Sequence, residues 1–204
     1  MAVIAPKGWY DISVPLKQNM TKFPSDPTPF KVYRLSDVAL GAKVTMSMIE
    51  MISHTGTHID APLHFIPGGS TISDMSLDAT IGPARVIEIK DKQKIRVAEI
   101  EKYDIKKGER LLFKTRNSPL TYTSETFVED YVYFDIPAAE YLAEKKVRMV
   151  GLDNITIGSF KEPGSLTQTH TIFLRAGDYE LLCLPLLMYN GDAGPSRAIL
   201  RPLK

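Results

Sequence analysis

Apolar and polar residues alternate at the start of Lys43–Ser53 (KVTMSMIEMIS), which predicts a strand with one buried face. That strand runs directly into a dense polar stretch, Ser53–His64 (SHTGTHIDAPLH). Upstream, Trp9–Val14 reads as a short strand closed by Pro15. Residues 15–30 hold Pro15, Pro24, Pro27 and Pro29, which predicts a long irregular loop. Phe23 in its middle is a candidate wall of a substrate pocket and equally a candidate anchor of the loop to the core.

Downstream, Ala84–Ile89 is a strand by its β-branched content, Val97–Tyr103 a short helix, and Arg110–Lys114 a strand. Residues 116–127 read as a polar loop, and Tyr131–Phe134 as another strand. Pro137 opens a helix through Lys146 whose inner face would carry Ala138, Tyr141 and Leu142; a proline suits a first turn, where its missing N–H has no helical partner. Val147–Leu152 follows as a strand, and strand–helix–strand at this spacing predicts a crossover with parallel pairing. Glu180–Met188 is a last apolar strand that Pro185 confines to a sheet edge or a bulge. The fold class is α/β with a mixed sheet and more strand than helix.

Composition narrows the function classes. The 204 residues suit one domain spanning 1–204. Lys+Arg 25 against Asp+Glu 24 leaves a net charge of +1, so no global field attracts nucleic acid or an anionic membrane. The single cysteine, Cys183, sits in an apolar run and reads as a small buried hydrophobe. The first twenty residues lack a continuous apolar run, so neither a signal peptide nor a membrane span is visible, and a cytoplasmic protein is expected.

The chemistry concentrates in the stretch at 53–64. His54, His58 and His64 are three of the chain's four histidines, and Asp60 lies between the last two. Imidazole and carboxylate at this density are the ingredients of a metal site with a base beside it. Along a straight strand residues 54 to 60 would span about 20 Å, whereas ligands of one ion each sit about 2 Å from it. The chain must therefore bend, and Gly56 permits it. His54, His58 and Asp60 then offer two nitrogens and one oxygen with coordination positions left open, as catalysis requires. His64, beyond Pro62, is placed to act as a general base. His170 is either a further ligand or a loop histidine bonded to backbone.

His-Thr-Gly-Thr-His-Ile-Asp-Ala-Pro-Leu-His at 54–64 resembles the signature of the cyclase-like metal-dependent hydrolases, which include bacterial kynurenine formamidase and isatin hydrolase. The resemblance extends to Asp11-Ile12-Ser13, Ile81–Val86, Val150–Asp153, Gly177–Leu186 and Gly191–Ala198. It implies a swivelling β/β/α domain, a homodimer or higher homo-oligomer, and one or two divalent ions, Zn or Mn. It makes His54, His58 and Asp60 ligands, His64 the catalytic proton shuttle and His170 a ligand of a second position. The implied reaction is hydrolysis of a C–N bond in an aryl formamide or cyclic amide, with a small-molecule amide as the partner.

Two departures stand out. Phe23 occupies the place of a substrate-stacking tryptophan. After His170 the chain runs almost directly into Gly177-Asp178-Tyr179, and the family's metal-binding glutamate is missing; Glu180 is the nearest acid but matches the C-terminal signature. Two other classes fit parts of the sequence. One is a metal-binding homologue with reduced or no activity; the other is an iron oxygenase with a 2-His-1-carboxylate triad, which leaves His54 and His64 without roles.

Overall fold

The computed structural model describes residues 9–76, 79–175, 183–186 and 191–200. In chain order the strands are β1 (Tyr10–Asp11), β2 (Lys31–Ser36), β3 (Met46–Glu50), β4 (His58–Asp60), β5 (Ala84–Glu88), β6 (Lys94–Ile95), β7 (Arg110–Lys114), β8 (Tyr133–Phe134), β9 (Met149–Leu152), β10 (Cys183–Pro185) and β11 (Ala193–Leu200). The helices are α1 (Val97–Ile100), α2 (Asn117–Thr123), α3 (Ile136–Glu144) and α4 (Ser165–Arg175).

With the 3-10 turns counted as helix, helix and strand take near-equal shares among the described residues, 25% and 24%, so the expected excess of strand holds only against the α-helices alone. The added helix comes from α2 and α4, whose threonine-rich sequences do not announce helices. The strands also form several small sheets instead of one mixed sheet. Strands β5, β7 and β9 make a parallel sheet in the order β5-β7-β9. Strand β11 is the spine of a second, antiparallel sheet, pairing along its length with β4, β10 and β1. β10 lies at an edge of that sheet, where Pro185 costs no central ladder bond. The predicted crossover is real, but the partners differ: β9 pairs with β7, while β8 pairs with β6.

The main core lies under one face of the parallel sheet. Ile87, Leu111 and Phe113 meet Phe134, Leu142 of α3 and Phe173 of α4, all buried. A smaller cluster of Ile59, Ala61, Ile72, Met149 and Ala198 joins the sheet's other face to the β4–β11 ladder. Burial of side chains such as Phe113 and Leu111 stabilises the fold by roughly 1.5–3 kcal/mol each. Asn117, 1% exposed, fixes the start of α2 by bonding both the N–H and the carbonyl of Val132.

The β2–β3 hairpin differs from the rest. Val32, Leu35, Met46, Met48 and Ile49 are exposed by 40–60%, and among the described residues the strands pair only with each other. The buried-face pattern read from Lys43–Ser53 therefore gives a strand whose apolar side chains remain largely uncovered. No helix among the described residues is long and apolar enough to cross a membrane. The side chain of Cys183, and Glu180 altogether, lie outside what is described.

Candidate metal centre

Strand β3 ends at Glu50, and the chain then turns back on itself. Gly56 takes φ +71°, a left-handed conformation that suits glycine, and a Cβ there would also meet Leu16 Cδ2 at 2.7 Å. The turn is held from outside as well: Val14 N–H donates to Thr57 Oγ1 (2.8 Å), and Ser196 N–H donates to the Thr57 carbonyl (2.8 Å). From His58 the chain runs as β4, antiparallel to the start of β11, with Asp60 opposite Ala193. A short 3-10 turn at Pro62–His64 then swings His64 back over the cluster.

His54 Nδ1 lies 2.9 Å from Asp60 Oδ1, and His58 Nε2 lies 3.3 Å from the same oxygen. Neither approach has hydrogen-bond directionality, so Asp60 Oδ1 is a buried acceptor without a hydrogen bond. Such an atom is costly unless something else satisfies it. Two ligand atoms around a tetrahedral ion lie about 3.3–3.5 Å apart, close to the spacings seen here. The donor set of two imidazoles and a carboxylate therefore fits a divalent ion.

The ring tautomers agree with that reading. His58 Nδ1–H donates to the Gly56 carbonyl (2.8 Å), which leaves Nε2 as the lone-pair nitrogen facing Asp60. His170 sits on α4, 5% exposed; its Nδ1–H donates to the Leu166 carbonyl (2.6 Å), and its Nε2 is 4.0 Å from Asp60 Oδ2. Gly158 lets α4 approach this closely, since a Cβ there would lie 2.3 Å from Thr169 Oγ1. His170 is thus a helix residue facing the centre. Its backbone bond and its approach to Asp60 coexist, so the two sequence alternatives for it do not exclude each other.

His64 packs on His54 with ring centroids 4.0 Å apart and lies 5.9 Å from His170. Asp60, His64 and His170 form a second group whose ligand atoms converge. Phe65 stacks on His170 at 4.5 Å and closes that side.

Charge separates the two neighbouring rings of His54 and His64. Burial works against a charged His54, but the adjacent carboxylates of Asp60 and Asp192 outweigh it and raise its pKa to about 9. Burial pushes the His64 pKa down to about 4, with Asp60 only partly opposing, so His64 is neutral at pH 7 and able to accept a proton. Burial would raise the Asp60 carboxyl, yet the His54 and His58 rings hold it well below the usual range.

Asp192 is a site residue that the sequence alone does not mark. Its Oδ2 accepts from His54 Nε2–H (3.0 Å), and its Oδ1 accepts from Ser53 Oγ–H (3.0 Å). A carboxylate that orients the far nitrogen of a ligating histidine is a common outer partner of metal sites. The Gly191–Ala198 segment was the available signal, but only the β4–β11 register shows that it reaches His54. Phe23 is placed among aromatic rings, 5.6 Å from Phe127 and 6.2 Å from Phe160. Its loop meets the space beside the cluster through Met20 and Thr21.

That space is a cavity of about 580 Å³ between the parallel sheet and the β1–β11–β4 sheet, with His58, Asp60 and His170 among its lining residues.

Residues 10–159 match the family described as "Putative cyclase". This chain belongs to that family. It is 32% identical over 209 residues to the kynurenine formamidase of Bacillus cereus, covering 96% of this chain and 98% of the relative. Identity to the kynurenine formamidase of Geobacillus thermodenitrificans is 35% over the same length, with the same coverage. Since 96% of 204 residues is about 196, about 13 of the 209 aligned positions have no counterpart here. A solved potential metal-dependent hydrolase with cyclase activity superposes with a TM-score of 0.79 at 29% identity, over 94% of this chain and 96% of that one. Isatin hydrolase A from Ralstonia solanacearum shares the fold, with a TM-score of 0.77 at 22% identity and coverage of 94% and 90%.

Proposed function

We propose that this protein is a metal-dependent amidohydrolase that cleaves the C–N bond of an aryl formamide or cyclic amide. The observation that carries the reading is Asp60 Oδ1, buried without a hydrogen bond between His54 Nδ1 and His58 Nε2. His54, His58 and Asp60 would hold a Zn or Mn ion, with His170 facing a second position next to Asp60. When bound, the ion supplies Lewis-acid polarisation of the amide carbonyl and acidifies a water molecule. His64, neutral and beside this centre, takes the proton from the attacking water and returns it to the departing nitrogen. Met20 and Thr21 bring the proline loop to the cavity, and Phe23 packs behind them as an aromatic support for the substrate side. The names of the related kynurenine formamidases and isatin hydrolases favour aryl and cyclic amides.

A second reading, a metal-binding homologue of low activity, draws on the roughly 13 aligned positions that are absent here. One experiment separates the two. The protein is stripped with chelator, reloaded with Zn or Mn, and assayed against N-formylaniline, N-formylkynurenine, isatin and a lactone without and with oxygen. Metal-restored, oxygen-independent hydrolysis of an amide supports the first reading. Stoichiometric metal binding without turnover supports the second, and strict oxygen dependence points to the iron oxygenase.

We also propose self-association through the β2–β3 hairpin. Val32 and Ile49 pair on one face of the hairpin and Met46 and Met48 lie on the other, so both faces offer uncovered apolar side chains of the kind that mark interfaces. The charges Ile49→Glu and Met46→Glu should convert the assembly to monomer in sedimentation measurements.

A further inference from the structure

We infer that the cavity beside the metal centre is a subsite for a neutral apolar body larger than one aromatic ring. The preferred substrate is then an amide carrying a long alkyl chain or fused rings. The catalytic end of this inference rests on the amidohydrolase reading above; the subsite itself stands on shape and lining.

Volume is the first observation. A cavity of about 150 Å³ suffices to hold benzene. The space here is about 580 Å³, so a single aryl ring would take roughly a quarter of it. Sites for drug-sized ligands span about 300–1,000 Å³, and this one falls within that range.

The lining is the second. One wall is the outward face of the parallel sheet, with Val86 and Leu112 side by side on paired strands. Val86 is 50% exposed although it sits mid-strand. The facing wall carries Ile12 and Val14. Gly151 keeps the middle wide: a Cβ there would come within 2.6 Å of Leu112 Cδ2. β9 ends the parallel sheet among the described residues.

Charge is the third. His58, Asp60 and His170 belong to the metal cluster. Elsewhere in the wall, Asp153 is occupied by the backbone N–H and hydroxyl groups of Thr115 and Ser118. Lys114 lies 3.5 Å from Glu88. Asp11, also in the wall, is paired with Arg197 at 2.6 Å; among the described residues the wall thus offers no fixed charge without a partner for an ionic tail, and burying apolar surface is its main means of recognition.

The test holds the reacting group constant. The metal-loaded protein is assayed with N-formylaniline and its 4-alkyl derivatives from methyl to octyl. Each methylene transferred into the cavity should raise kcat/KM about fourfold, levelling off once the chain outgrows the space. Val86→Trp and Gly151→Leu, placed on different strands, should each lower the octyl-to-parent ratio at least tenfold. Separately, the metal-free protein is titrated with N-formyl-4-octylaniline by calorimetry. Binding tighter than that of the parent, with a negative heat-capacity change, is the expected signature of apolar burial.

If N-formylaniline is hydrolysed but the series is flat, the subsite is overturned and the amidohydrolase reading stands. If no member is hydrolysed but the metal-free protein prefers the octyl compound, the reading fails and the subsite stands. Neither turnover nor preferential binding overturns both.

Discussion

The two faces of strand β7 carry the same kind of residue and lead to different ends. Leu111 and Phe113, 0% and 2% exposed, point into the main core against α3 and α4. Leu112, between them, points to the opposite side, where the cavity and the His/Asp cluster lie. A strand alternates with period two, so one residue step separates the part that holds the fold from the part that shapes the site. Stability and function are thus expected to respond to different substitutions within the same few residues.

The largest effect should come from the core face. Phe113→Ala is expected to cost about 3–5 kcal/mol in urea unfolding, while the protein that remains folded binds metal as before. A parallel loss of metal affinity would show that the two faces are coupled.

Next is the pH dependence of the metal-free protein, which tests the site side. His54 has its pKa raised to about 9 against an ordinary 6.5, so its stabilisation is fully present below pH 6.5 and is lost as pH rises to 9. His64 has its pKa lowered to about 4, so stability falls as pH drops from 6.5 towards 4; burial of His170 acts in the same direction. Unfolding free energy should therefore peak near pH 6.5, with the alkaline limb on the order of 3 kcal/mol. His54→Gln should flatten that limb. Stability that climbs between pH 6.5 and 9 would contradict the carboxylate–His54–carboxylate arrangement.

Asp192→Asn follows. It keeps an acceptor for His54 but removes its charge, and should weaken Zn or Mn binding by about 10–100-fold in calorimetry with little change in fold. Unchanged affinity would reduce Asp192 to a surface contact. The smallest effect on stability is expected from Leu112→Ala, about 1 kcal/mol, because that face is only partly covered. A cost equal to that of Phe113→Ala would erase the distinction between the faces.

The legibility of this molecule follows the range of its contacts. The bend at Gly56, the convergence of His54, His58 and Asp60, and the separate placement of His64 were readable because they fall within eleven residues. Asp192 was not, because it lies 132 positions after Asp60 and reaches the site only through the β4–β11 register. The family resemblance places the extra carboxylate after His170; among the described residues one stands instead on the His54 side. Helix α4 escaped notice because Thr167, Thr169 and Thr171 lower intrinsic helix propensity, while its buried face on the core stabilises it. The hairpin partner β2 was missed and β3 was expected to bury one face, because exposed apolar strands read like buried ones. The cavity is a property of two sheets together, and no single stretch announces it.

In the proposed metal-dependent hydrolase, His64 moves the proton while His54, His58 and Asp60 hold the ion. The most direct measurement is metal content and amide hydrolysis side by side for the native protein and His64→Ala. The expected result is unchanged metal stoichiometry with turnover lowered about 10²–10⁴-fold. Full activity in His64→Ala, or loss of the metal with it, would contradict the account: the first removes the base, and the second makes His64 a ligand.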